Sequence, residues 1–350
     1  MLVSLLTLSL AAALGLAPDS EEQASWAKVL WGARTGPLPD AAFLPNPPQD
    51  SILMYRAVTP LLPDNHRCIR SWRLFTLSIR LPFMLFGLWL GGALWWVTRR
   101  LYNNSGGYIA LALYCSSAVI LQLSSRVNAE IIAAWGLFGI VYTAIGVAHT
   151  LYAPPKKWRP RIVLLGTAFG ITAAAHLSTA TVGVVLAAFF MLYLAPGRRL
   201  ASIVILAEAS IIAFLILWGC YGFSGSVFSA DLAGAVRLSS PLHPAAQFLA
   251  PSFWPLLVVL AVSLLIFITW PRTRYFGNWA PLTVFTLLVV VRFQQGDSWF
   301  WALPFAFVFI GGIFADLLET RWRPAVMRFA VLAIATQETL TVFLLLQTLR

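Results

Sequence analysis

The feature that most constrains this chain is a train of apolar runs, each near the length of a bilayer crossing, repeated along nearly the whole sequence. A hydrocarbon core of about 30 Å needs roughly 20 apolar residues in helical form. Windows such as 81–98 and 203–218 meet that need and are apolar on every side. Strands that cross lipid would instead alternate apolar and polar residues, because they satisfy their backbone only in a closed barrel with two distinct faces. The sequence therefore predicts an all-α, polytopic transmembrane bundle. Composition agrees: 59% of the 350 residues are hydrophobic and 11% charged, with a mean hydropathy of +0.80, far from a soluble domain.

The expected spans are 1–17, 81–98, 108–123, 131–151, 162–175, 180–194, 200–218, 255–270, 279–291, 300–318 and 325–346, about 11 in all. They make residues 1–350 a single membrane domain, with one sizeable loop at 18–73 that holds short helices and many of the prolines. The first run lacks the positive start of a secretory signal, and is read as a retained first span rather than a cleaved leader.

A formal charge of +11 does not indicate nucleic acid here, because the basic residues fall in small clusters between apolar runs and not along one face. Every second connection is basic: Arg99 and Arg100; Lys156, Lys157, Arg159 and Arg161; Arg198 and Arg199; Arg272 and Arg274; Arg321 and Arg323. The intervening short connections carry only Arg126, Arg237 and Arg292. The positive-inside rule then puts the N-terminus and the basic turns in the cytoplasm and the 18–73 loop outside. That long loop is itself rich in arginine, but long loops translocate with less regard to charge. Cys68, Cys115 and Cys220 show no paired spacing, so neither a disulfide framework nor a cysteine metal site is expected. Most of the 15 tryptophans near span ends read as interfacial anchors.

Acidic residues are few, and each needs a reason. Asp19, Glu21 and Glu22 follow the first span at the outer surface, where a carboxylate can serve as a base or bind a cation, or simply open a helix whose first turn favours negative charge. Glu130 ends the outer stretch Ser125-Arg126-Val127-Asn128-Ala129-Glu130 and either starts a helix or joins the other carboxylates across a cavity. Arg80 and Arg126 suit a lipid phosphate, since a guanidinium matches phosphate oxygens two at a time, or they pair with carboxylates. His176 and His243, in turns on the outer side, suit a phosphate or a sugar hydroxyl, or a structural role. Glu208 and Glu338 lie inside apolar runs, where an ionisable group is expensive and is read first as functional. No Walker loop, dinucleotide fingerprint, zinc-protease motif or nucleophile elbow occurs.

Ser20-Glu21-Glu22-Gln23 just after the first span, Asn46-Pro47-Pro48 later in the loop, Arg80-Leu81-Pro82 and Arg99-Arg100-Leu101-Tyr102 around the second span, Glu130 opening the fourth and Ala302-Leu303-Pro304-Phe305 occur in a telling order. The arrangement resembles the GT-C membrane glycosyltransferases, the protein mannosyltransferase and aminoarabinose transferase relatives that use polyprenyl-phosphate sugars. The resemblance implies an enzyme of a bacterial inner membrane that passes a sugar from a polyprenyl-phosphate donor to a periplasmic or lipid-linked acceptor by inverting displacement. In that reading Glu21, Glu22 and Glu130 are catalytic, Asp19, Arg80, Arg126, Asn128, His176 and His243 bind substrate, and a divalent cation could assist, with no other cofactor implied. Glutamates stand where the family usually has aspartate, and His176 stands where relatives often have lysine. Two other readings stay open: a transporter or flippase coupled through Glu208 and Glu338, and a non-catalytic subunit of a cell-envelope complex.

Overall fold

The structure is a computed structural model that describes residues 1–15, 72–221, 223, 225, 253–295 and 300–348. Among these residues the long elements are α1 (Leu2–Gly15), α2 (Trp72–Leu101), α3 (Asn104–Cys115), α4 (Ala118–Ser125), α5 (Ala129–Thr150) and α6 (Arg159–Ala175). They continue as α7 (Leu177–Leu194), α8 (Arg199–Cys220), α9 (Trp254–Thr269), α10 (Phe276–Gln295), α11 (Leu303–Leu318) and α12 (Arg323–Thr348). No strand occurs among the described residues, so the expected all-α class holds.

Every apolar run of the sequence falls on a helix, with 108–123 divided between α3 and α4. Among the described residues six helices are long and apolar enough to cross a membrane, or seven if α3 and α4 form one bent crossing, against the eleven expected. Length accounts for three of the four that remain, all but α6. Leu2–Gly15, Trp254–Thr269 and Phe276–Val290 are apolar but short; a 14-residue helix such as α1 extends only about 21 Å against a core of about 30 Å. The loop expected at 18–73 lies outside the described residues except where α2 begins at Trp72.

The chain divides into two compact units, the first formed by Met1–Ala17, Met84–Arg126 and Ser239–Arg350, the second by Pro18–Phe83 and Val127–Leu238. In the second unit α5 to α8 follow one another through short turns, so neighbours run antiparallel. Ile140, Ala144, Leu165, Phe169, Met191 and Ala209 belong to its buried core. α6 and α8 pack tightly. A β-carbon on Gly166 would stand 2.7 Å from that of Ile212, and one on Gly170 would stand 2.7 Å from that of Ile216. Two glycines four residues apart thus give α6 a flat strip onto which α8 lays its isoleucines, the way helices associate in lipid, where apolar burial against solvent offers little drive. At the basic turn, Arg161 Nη1 donates to the Gly146 carbonyl and to Thr150 Oγ1, tying the start of α6 to the end of α5.

The first unit is built differently. α3 and α11 touch backbone to backbone: a β-carbon on Gly106 would lie 2.9 Å from the Gly311 carbonyl oxygen, and one on Gly311 2.8 Å from that of Gly106. Between α3 and α4 the chain turns by 64° at Ser116 and Ser117, both buried. A break there frees carbonyls that a straight helix would use itself. α12 supplies their partners: Gln337 Nε2 donates to the Leu113 carbonyl at 3.2 Å, and Thr341 Oγ1 donates to the Ser116 carbonyl at 2.6 Å.

Candidate functional site

The start of α5 is set by Asn128. Its backbone is extended (φ −143°, ψ 122°) and its side-chain oxygen accepts from the Glu130 amide at 2.8 Å, so it caps the helix. Glu130 therefore sits in the first turn, half-buried, where the helix dipole favours its negative charge. This satisfies the modest reading of Glu130 and also fixes its backbone. Asn128 is thereby occupied in shaping the turn.

His176 alone joins α6 to α7. Its amide donates to the Thr172 carbonyl at 2.7 Å, and its Nδ1 shares a hydrogen bond of 2.9 Å with Ser178 Oγ. The ring is held by that edge. The two residues belong to one end of the second unit because α5 and α6 pack antiparallel with Thr172 against Gly136, where an added β-carbon would meet Thr172 Oγ1. From that crossing Glu130 lies six residues back along α5 and His176 four residues on along α6, rises of about 9 and 6 Å toward the same end. Tyr221, buried at the end of α8 against Ala174, closes this end of the unit.

The other expected site residues are scattered. Arg80 is wholly buried within α2, so a ligand would reach it only from inside the protein. Arg126 ends α4 in the first unit, half-buried beside a cleft lined also by Ala12, Gln122, Ser125, Thr341 and Leu345. Asp19, Glu21, Glu22 and His243 lie outside the described residues. Among the described residues no three His, Cys, Asp or Glu side chains come together to hold a metal ion. Glu208 and Glu338 are both exposed, on α8 and α12, and neither is enclosed within its unit.

One polar cluster escaped the sequence reading. Asp316, inside α11, accepts from Tyr275 OH at 3.2 Å and from Asn278 Nδ2 at 3.0 Å; Asn278 Nδ2 also donates to the Thr273 carbonyl at 2.8 Å. Tyr102 OH donates to the Gly277 carbonyl beside them. Burial, and then the neighbouring Asp316 carboxylate, raise the Tyr275 phenol above its ordinary range. The cost of an aspartate in an apolar helix was the signal that partners had to exist.

No protein-family model matches the sequence, and no curated protein matches it. Among solved structures, the crystal structure of the Archaeoglobus fulgidus oligosaccharyltransferase in the apo form matches with a TM-score of 0.57 over 98% of this chain, at 12% identity. The two share a fold. This chain spans about half of that neighbour, 55% of its length.

Proposed function

We propose that the protein is a membrane-embedded glycosyltransferase of the GT-C type, moving a sugar from a polyprenyl-phosphate donor to a periplasmic or lipid-linked acceptor at the outer face. The observation that carries this reading is the fold likeness to an oligosaccharyltransferase along nearly the whole chain. A capped, half-buried carboxylate opening α5 adds to it. In this reading the eleven helical segments, with α3 and α4 counted as one, cross a bacterial inner membrane, and the N-terminus is cytoplasmic.

The chemistry is one displacement. The acceptor oxygen or nitrogen attacks the anomeric carbon, forming the new glycosidic bond as its proton passes to Glu21 or Glu22. The bond from that carbon to the phosphate oxygen breaks on the opposite side, and the polyprenyl phosphate leaves with the electron pair. Glu130 orients donor or acceptor from a turn that Asn128 fixes. Either His176 or Arg126 is the candidate contact for the leaving phosphate, and Asp19, Arg80, Asn128 and His243 are further candidate substrate contacts. A divalent cation would take carboxylates of the 18–73 loop together with Glu130.

The test is transfer of radiolabelled sugar from polyprenyl-phosphate donors in membranes carrying the wild type, Glu21→Gln, Glu22→Gln or Glu130→Gln at matched expression. Loss of the base should lower transfer about 10²- to 10⁴-fold. Donor left unconsumed by the wild type, or equal rates in all four, would sink the proposal.

A further inference from the structure

A glutamate sits in the middle of α8 on the side turned away from its own unit. Along the helix Glu208 is about 13 Å from Arg199 and about 18 Å from Cys220, near the centre of a core about 30 Å thick. A side chain as short as glutamate's does not reach either surface from there. The inward side of α8 is already used: Ser202, Ile205 and Ala209 are buried, and Ile212 and Ile216 press onto Gly166 and Gly170. The outward side carries Val204, Ala207, Glu208, Ile211 and Leu215, all exposed, at the spacing of one helical face. Glu208 makes no hydrogen bond or ion pair with any described residue. Within lipid such a carboxyl is expensive unless another group at the same depth bonds to it.

The depth requirement selects the partner. A two-fold axis along the membrane normal places a residue and its copy at the same depth automatically, and on the same surface of each protomer. A foreign helix would need a matching donor at that level by separate design. A carboxylic acid both donates and accepts, so two of them satisfy each other. Ala207, next to Glu208 on the same face, is small enough to let two backbones come close, as helix pairs in lipid require.

We infer that the Val204 to Leu215 face of α8 is a self-association surface, on which two copies of this chain pair about a two-fold axis with their Glu208 side chains hydrogen-bonded across it. This does not depend on the transferase reading, and its test does not use activity.

The experiment is subunit counting by single-molecule photobleaching of labelled protein in dilute liposomes, for the wild type, Glu208→Gln, Glu208→Leu and Glu338→Leu. The wild type should bleach in two steps. Glu208→Gln keeps a group that donates and accepts, and should stay largely dimeric. Glu208→Leu should weaken pairing roughly 3- to 30-fold, and Glu338→Leu should not. In a second arm Ala207→Cys, with Cys68, Cys115 and Cys220 replaced by alanine, should form an intermolecular disulfide on mild oxidation, whereas buried Ala209→Cys should not. A monomeric wild type, a Glu208→Leu protein that pairs like the wild type, pairing lost only in Glu338→Leu, or no crosslink through position 207 would each overturn the proposal.

Discussion

The two units hold their helices together with different balances of close fit and polar bonds. The second leans on fit: Gly166 and Gly170 bring α6 onto the isoleucines of α8, with the Ala209 and Ala213 carbonyls also close. The first relies on polar bonds, with α12 reaching into the break between α3 and α4 through Gln337 and Thr341. The difference follows from shape. Continuous helices leave no backbone group unpaired and need only close surfaces, whereas a helix turned by 64° exposes carbonyls that lipid cannot satisfy.

The comparison breaks most sharply at Gly170. Gly170→Leu drives a side chain into Ile216 and should destabilise the protein by about 1–3 kcal/mol, read as a lower midpoint in detergent denaturation. A result near zero would mean that α6 and α8 part easily and that fit is not what binds the second unit.

A smaller effect sharpens the other side. Thr341→Val removes the partner of a buried carbonyl and should cost about 0.6–2 kcal/mol. Gln337→Met should cost less, because the buried Gln337 Oε1 has no partner and its removal offsets the loss of the bond to Leu113. Equal losses at the two positions would show that the break is held as one network. Smallest at neutral pH is Tyr275→Phe. The Tyr275 phenol is raised in the folded protein, so its contribution is complete below the unfolded value of about 10 and is lost as pH climbs through the higher folded value. The wild type should therefore lose stability above about pH 10 more steeply than Tyr275→Phe, followed by thermal aggregation across pH 8–11.

The helices were legible because apolar length in lipid leaves one economical answer, and each run from 1–17 to 325–346 falls on one helix, or on two for 108–123, where described. What the runs hid was shape. The run 108–123 reads as one straight span, yet Ser116-Ser117 breaks it, and a serine pair is a recognised cause of a kink. The start of α5 was legible from Glu130, but the cap that Asn128 supplies two residues earlier was not read. The Asp316 cluster was not, since Tyr275 and Asn278 are separated from it by 41 and 38 residues and no local pattern joins them. Similarly, Glu208 could be recognised as costly from the sequence, but which way it faces depends on how α8 packs on α6.

The bend between α3 and α4 also bears on the order in which the protein is made. Pieces of 12 and 8 residues extend about 18 and 12 Å, so neither can enter a bilayer as a separate crossing. Their turn is completed by side chains 224 and 225 residues further along the chain. At about 5–20 residues per second the ribosome takes roughly 10 to 45 s to deliver them. During that interval the Ser116 carbonyl lacks its Thr341 partner, and the Leu113 carbonyl has only the local bond from Ser116 Oγ at 3.3 Å. The nascent chain must be sheltered at this point until α12 arrives, which makes a late helix the clasp on an early one.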